Sequence, residues 1–525
     1  MTKLEPRSPR VAVIGDVGWA GLYHLGDEAM TEAAIGELQA RDVTDITIIA
    51  AEAEPAAQRY RVDAIDRFGF GSRWGRKRLD DRYRALVAGI NTGFAELPED
   101  DPAHEIFALL QSCDAIVIAG GGNLTSRYLY HVYERSVLTK LADHLGTPLV
   151  MTSQTIGPTI DEDHRKIVAE ILESATIVGG RETFTFELVN DLTGGRAHVY
   201  KSLDDAFHLQ ASPADTRRAA AFELDAPYAV ASVSPYVSNP FWSEDAYFET
   251  MASICDAVAT EIDATIYLIP HAGSPHSGED KHDQVSHERV ITASVSERIR
   301  SLPVMTATQC IAVMANAEVA VSTRYHPIVL GHIVEVPTIS IGVDPYSFVR
   351  MYGAQKNFGT ESLHLPARRA TPEGVAALAR QLVDQRATFA QHVKGITAIR
   401  SAEANTWWDH LVARINGSTH TTEPSFTEVA TLELANVAPI ARSEFDAYNE
   451  LSSMYDSFRR ERAARIRAEK DADIAKRDRD RLRVAMQRVK AESKALRAQL
   501  DATNSRKVVR LADRLGDVSR TLRGR

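Results

Sequence analysis

Residues 317–345 read AEVAVSTRYHPIVLGHIVEVPTISIGVDP. Ala317 to Val321 is a short apolar, β-branched run, the pattern of a buried strand. The run stops at Ser322, and Thr323, Arg324, Tyr325 and His326 follow. Pro327 suits a first helical turn, and the apolar residues behind it read as a helix. Ile339 to Val343 is the next buried strand. Ser322, Arg324 and His326 are therefore expected where a strand ends and a helix begins, the place where open α/β sheets bind ligands. Arginine offers a planar fork to phosphate or carboxylate, and histidine can give or take a proton near neutral pH. A plainer reading stays open, in which Arg324 ties down a loop and His326 is a hydrogen-bonded core residue.

The same grammar recurs outward from this stretch. Arg10 to Ile14 is a strand, Asp16 to Gly26 a glycine-bearing loop, and from Asp27 the apolar spacing of Ala29, Met30, Ala33, Ala34 and Leu38 is helical. Ile46 to Ala50 is a second strand, while residues 52–100 give no assignment beyond helix and loop. Ala115 to Ala119 ends in Gly120-Gly121-Gly122-Asn123, where glycines let backbone approach a ligand and expose N–H groups. Pro148 to Thr152 runs into Ser153–Pro158, Ala175 to Val178 into Gly179–Glu182, and Val199 to Leu203 into Asp204–Phe207. Strands that end in small or polar clusters, with helical patterns between them, make a doubly wound domain over residues 1–210. A second set, Tyr228–Val233, Thr265–Ile269, Pro303–Met305, Glu318–Val321 and Thr338–Ile341, makes another over 225–411. The expected fold class is α/β, with two Rossmann-like doubly wound domains facing a cleft. His271, His276, His282, His287, Asp280 and Asp283 have the composition of a metal site, but the segment lacks strand or helix context and is expected to be a solvated loop.

The chain of 525 residues is 44% hydrophobic and 25% charged, ordinary values for a globular protein. Cys113, Cys255 and Cys310 are far apart and fit neither a disulfide framework nor a zinc spacing. No metal or cofactor is expected. The start, MTKLEPRSPR, lacks an apolar signal segment and no run of 18 apolar residues occurs, so a cytoplasmic location is expected.

Residues 412–440 read as a linker. From Ile440 to Leu515 there is no Gly or Pro. Leu451, Met454, Phe458, Ala468, Ala472, Ala475, Leu482, Met486, Val489, Leu496 and Leu500 share one 3.5-residue register, interrupted by Glu461, Arg465, Arg479 and Ser493. Residues 441–503 are thus expected to form a coiled coil that makes the protein a homo-oligomer, a single charged helix being the alternative. Residues 504–525 carry seven basic and two acidic side chains, with Val508, Leu511, Leu515, Val518 and Leu522 at helical steps. That basic amphipathic tail is expected to touch the inner membrane face peripherally. From Ser457 onward 22 Lys/Arg face 10 Asp/Glu, a net of +12; with −11 for the whole chain, residues 1–456 carry −23. So acidic a body argues against a nucleic-acid partner.

Six strand-end clusters, taken in order, resemble the polysaccharide pyruvyl transferase family: HLGDEA at 24–29, GGGNL at 120–124, SQTIGP at 153–158, RETFT at 181–185, DDAF at 204–207 and STRYH at 322–326. The resemblance covers about residues 10–350. It implies a GT-B-type architecture and transfer of the pyruvyl group of phosphoenolpyruvate onto two hydroxyls of a sugar, as a ketal. The family's Arg-Leu-His corresponds to Arg324-Tyr325-His326, which implies a donor-binding arginine and a candidate general acid. Asp27, Gly121, Gly122, Asn123, Arg181 and Ser322 are the implied substrate-binding positions. The chain departs from the family pattern at His24, where Asn is usual, at Thr125-Ser126, at Asp205 in place of proline, and at Tyr346, where lysine is frequent. The sugar acceptor, lipid-linked or nucleotide-linked, stays open. So do two other functions: a nucleotide-sugar glycosyltransferase of the same architecture, and a catalytically silent scaffold acting through the coiled coil.

Overall fold

A computed structural model of the protein describes residues 8–434 other than 277, 419 and 420, residue 440, and interspersed positions between 446 and 510. Met1–Ser453 and Met454–Arg525 are separate compact units.

The first unit holds two parallel sheets. The first runs Asp63–Asp66, Asp45–Ala50, Arg10–Ile14, Ala115–Ile118, Leu149–Ile156, Ile177–Gly180, Val199–Lys201, with Gly121–Leu124 pairing Leu149–Ile156 off this path. Alternation sorts its side chains onto two covered faces: Val11 and Val13 pack with Val117 and Ile48, while Ala12 and Ile14 pack with Ile116 and Ile49. The second sheet runs Ile299–Ser301, Thr265–Leu268, Tyr228–Ser232, Ala320–Ser322, Thr338–Gly342, His364–Pro366. The order reverses between Arg10–Ile14 and Ala115–Ile118 in the first sheet, and between Tyr228–Ser232 and Ala320–Ser322 in the second. Each reversal opens a crevice at the strand C-termini. The short strands Tyr23–His24 and Ala272–Gly273 pair antiparallel and clasp the two halves beside those crevices.

The long helix Arg386–Ile415 belongs to both halves. Phe389, Val393 and Ile396 lie in the core of the second, whereas Trp407, Trp408, Leu411, Val412 and Ile415 pack with Val11, Val13 and Val117 of the first sheet. The packing of this helix therefore crosses the division expected at residue 210.

Several sequence expectations need correction. Residues 52–100 contain the helix Ala53–Tyr60, the edge strand Asp63–Asp66 and the helix Arg76–Gly89. No strand forms at Pro303–Met305; the edge strand is Ile299–Ser301, and His364–Pro366 adds another. The 271–288 segment is a solvated loop only in its middle, where residues 275, 276, 278–280 and 282 are exposed. His271, Asp283 and His287 are buried, and Asp283 starts the helix Asp283–Ala293. Among the described residues no group of three or more His, Cys, Asp or Glu is arranged to hold a metal.

In the C-terminal unit the described positions are helical, and Met454, Phe458, Leu482, Met486, Val489 and Leu496 are exposed. Ala468, Ala472, Ala475 and Leu500 of the repeat, and the tail residues Val508, Leu511, Leu515, Val518 and Leu522, lie outside the described residues. Among the described residues no helix is long and apolar enough to cross a membrane.

Candidate active site

Between the two crevices lies a cavity of about 150 Å³. Asp16, His24, Gly26, Asp27, Gly122, Asn123, Tyr128, Tyr130, His131 and Arg181 line it from the first half, and His271, Arg324, Tyr325, His326, Tyr346 and Arg350 from the second. Of the positions singled out in the sequence, Asp27, Gly122, Asn123, Arg181, Arg324 and His326 meet here. Gly121 and Ser322 do not. Gly121 is enclosed in the strand Gly121–Leu124, opposite Gln154. The Ser322 hydroxyl is spent on its own turn: it accepts from the Arg324 N–H at 2.8 Å and donates to the Arg324 carbonyl at 2.9 Å. The glycine run is thus a paired strand rather than an open turn. Gly122 is needed because the Tyr346 hydroxyl comes so near that a Cβ there would sit 2.0 Å from it.

Arg324 emerges where the second sheet reverses order. Its Nε donates to Asp283 Oδ2 at 3.1 Å and its Nη2 to Asp283 Oδ1. Asp283 Oδ2 also accepts the backbone N–H groups of His271 (2.9 Å) and Ala272 (3.1 Å). Burial alone would raise the Asp283 pKa; the Arg324 guanidinium and the neighbouring histidines outweigh it and hold the carboxyl below its usual range. Arg324 therefore does tie a segment down, while its side chain remains 26% exposed at the cavity.

His326 is the first residue of the helix His326–Ile333, with Pro327 behind it. Its ring packs against Gly26, where a Cβ would lie 2.0 Å from Cε1. Nε2 is buried, 3.7 Å from Asp204 Oδ2, and has no hydrogen-bond partner among the described residues. Burial, then the Arg181, Arg350 and Arg324 guanidiniums, push its pKa down to about 3, against the pull of Asp27. The ring is neutral at neutral pH, so the expected acid lacks its second, acidic proton until something alters that field.

Around His326 the other charges are mostly matched. Arg181 Nη1 donates to Asp204 Oδ2 at 2.5 Å, Nε donates to Thr155 (2.8 Å) and Glu182 (3.1 Å), and the guanidinium lies 4.3 Å from the Tyr325 ring centroid. Asp27 Oδ2 is 3.5 Å from His24 Nδ1. Burial lowers the His24 pKa but Asp27 and Asp16 more than reverse it, so it is raised. Asp16 accepts from Arg67 at 2.7 Å and lies 3.0 Å from His131 Nε2. Tyr346 donates to the Gly122 carbonyl at 2.9 Å, and one helical turn on, Arg350 Nη1 donates to the Tyr346 hydroxyl at 3.3 Å.

Sequence reasoning missed Asp16, Tyr128, Tyr130, His131 and Arg350 as lining residues. Asp16 follows the first strand by two residues, the same position from which Arg324 was found. Arg350 carries only its four-residue spacing from Tyr346.

A family model described as polysaccharide pyruvyl transferase matches residues 24–345, more than half of the chain. The chain belongs to that family. It is accordingly a transferase. Solved structures similar to this pyruvyl transferase family member include a Listeria monocytogenes protein titled as a putative UDP-N-acetylglucosamine 2-epimerase, at 11% identity, covering 81% of this chain and 100% of that one, with a TM-score of 0.52. The UDP complex of MnaA from S. aureus matches at 10% identity over 79% of this chain and 100% of that one, TM-score 0.51. Likeness at this identity concerns the fold alone, and the fold is GT-B-like. No curated protein gives a significant sequence match to the transferase.

Proposed function

We propose that the protein moves the pyruvyl group of phosphoenolpyruvate onto two hydroxyls of a sugar in a cell-surface polysaccharide or glycolipid precursor. The observation that carries this reading is His326, neutral and with an unpartnered Nε2, in a small cavity walled by guanidiniums. A trianionic donor entering there reverses the field that strips the proton from His326, so the imidazole takes up a proton only when the donor is bound. The acid is loaded by its own substrate.

The bond changes balance. His326 delivers a proton to C3 of the enol, C2 gains cation character, and a sugar hydroxyl oxygen bonds to C2 while its proton passes to a carboxylate. The C2–O bond to phosphate breaks, and the second hydroxyl bonds to C2. Of the two hydroxyl protons, one replaces that spent on C3 and one leaves with phosphate. Asp27 and Asp16 are carboxylates on the wall of the first half, to which Asn123 and Arg181 also belong, and Asp27 is the one assigned this role. A cavity of about 150 Å³ suits a three-carbon donor better than a nucleotide sugar, since pockets for larger ligands occupy roughly 300–1,000 Å³.

A donor screen by thermal shift tests the reading. Phosphoenolpyruvate at 100 times its Kd is expected to stabilise the protein by about 2.7 kcal/mol, and UDP-sugars to leave it unchanged. A rise with a UDP-sugar alone favours the glycosyltransferase. No rise with either favours the scaffold.

A further inference from the structure

Several arginines stand on or beside the cavity, and all but one bring their own counter-ion. Arg127 pairs with Asp344 at 2.7 Å, Arg181 with Asp204 at 2.5 Å, and Arg324 with both oxygens of Asp283. Among the described residues Arg350 pairs with no carboxylate. Its guanidinium is held by uncharged groups instead: Nη1 on the Tyr346 hydroxyl, the Tyr346 ring centroid 4.0 Å away and the Tyr325 centroid 5.5 Å away. Its Nε is buried and has no acceptor among the described residues. Aromatic faces fix a guanidinium in place without cancelling its charge. The Tyr346 bond uses one Nη, which leaves the Nε edge, the one that grips an oxyanion in bidentate fashion.

We propose that Arg350 is the anchor for the phosphoryl group of the donor, held in place by Tyr346, which is itself tied to the Gly122 carbonyl; this rests on the reading of phosphoenolpyruvate as donor. A phosphate monoester carries nearly two charges at neutral pH and needs an uncompensated cation. A carboxylate carries one and is met by Arg324, whose charge is already shared with Asp283. Tyr346 stands one helical turn before Arg350 on the helix Pro345–Lys356 and fixes its guanidinium in place.

Calorimetry on the full-length protein with phosphoenolpyruvate, inorganic phosphate and pyruvate tests the assignment. Arg350→Ala is expected to weaken phosphoenolpyruvate and phosphate by about 10- to 100-fold, the range for losing a charged hydrogen-bond donor, and to leave pyruvate unchanged. Arg350→Lys recovers part of the loss, because charge returns without the fork. If Arg350→Ala melts early, Arg350→Gln, which retains the stem and an amide donor, is read in its place. Unchanged phosphate affinity in the variant overturns the subsite while the donor reading stands. Loss of pyruvate rather than phosphate binding overturns the assignment to the phosphoryl group. A parent that binds phosphate through Arg350 but not phosphoenolpyruvate keeps the subsite and ends the donor reading. A parent that binds neither ends both.

Discussion

Arg324 and His326 stand two residues apart and respond to substitution in opposite ways. Under the proposed chemistry, His326→Ala leaves phosphoenolpyruvate binding largely intact and lowers kcat by about 10²- to 10⁴-fold, the usual loss when a general acid is removed. Phosphate release in the presence of a sugar acceptor reads this; normal turnover would place the proton source elsewhere. Arg324→Ala acts first on stability. It strands the fully buried Asp283 carboxylate, and such a loss costs about 3 kcal/mol, the low end of the range because a quarter of Arg324 is in solvent. Denaturant midpoints measure it, and Asp283→Asn added to Arg324→Ala should recover part of the loss. Arg324 was legible because a buried β-branched run leads into a strand that ends at Ser322, two residues before it. Its partner was not, because the sequence says where a guanidinium stands and not which carboxylate, 41 residues away, reaches it. Arg350 was hidden for the same reason. What distinguishes it is a missing counter-ion, a property of the assembled cavity.

Central strands declare themselves at the scale of elements, whereas edges do not. Residues 11–14 and Ala115–Ile118 are buried on both faces and read as continuous apolar runs, and Thr338–Gly342 is as fully buried around its two isoleucines. Asp63–Asp66 and Ile299–Ser301 are half-exposed, mix charged with apolar residues and match no period well. Gly121–Leu124 lacks the side chains that signal a strand, and pairs because Leu149–Ile156 continues past its neighbours. The C-terminal helix poses the reverse case, a clear period without a visible occupant. Its exposed Met454, Phe458, Leu482, Met486, Val489 and Leu496 keep the 3.5-residue spacing of a two-stranded supercoil, and a second copy of this chain is the proposed partner. Light scattering should give a larger assembly for the full chain than for one ending near residue 440. Equal states would leave the helix single.

Acid should unfold the whole molecule earlier than its negative charge suggests. Burial holds His271, His326, His332 and His364 down to about 3 and His287 to about 4. Between those values and the ordinary 6.5, the unfolded chain binds protons the folded one refuses, so stability rises with pH across this window. Going from pH 7.5 to 5.5 costs on the order of 1 kcal/mol per histidine. Asp205, pushed up to about 6 by burial, acts in the opposite direction, as do Asp204 and Glu182, which burial also raises, and His24, raised by Asp27 and Asp16. Urea midpoints at the two pH values check the sum; an unchanged midpoint would mean these rings are hydrated.

The helix Arg386–Ile415 has a consequence for how the protein is made. The last strand of the first sheet, Val199–Lys201, leaves the ribosome long before Trp407 and Trp408 exist to cover that sheet. At roughly 5–20 residues per second the interval is about 10–40 s. Throughout it the face that carries Val11, Val13 and Val117 is covered only by residues of its own half, such as Ile35, Leu38 and Tyr60, and the part that Trp407 and Trp408 close stays open to solvent.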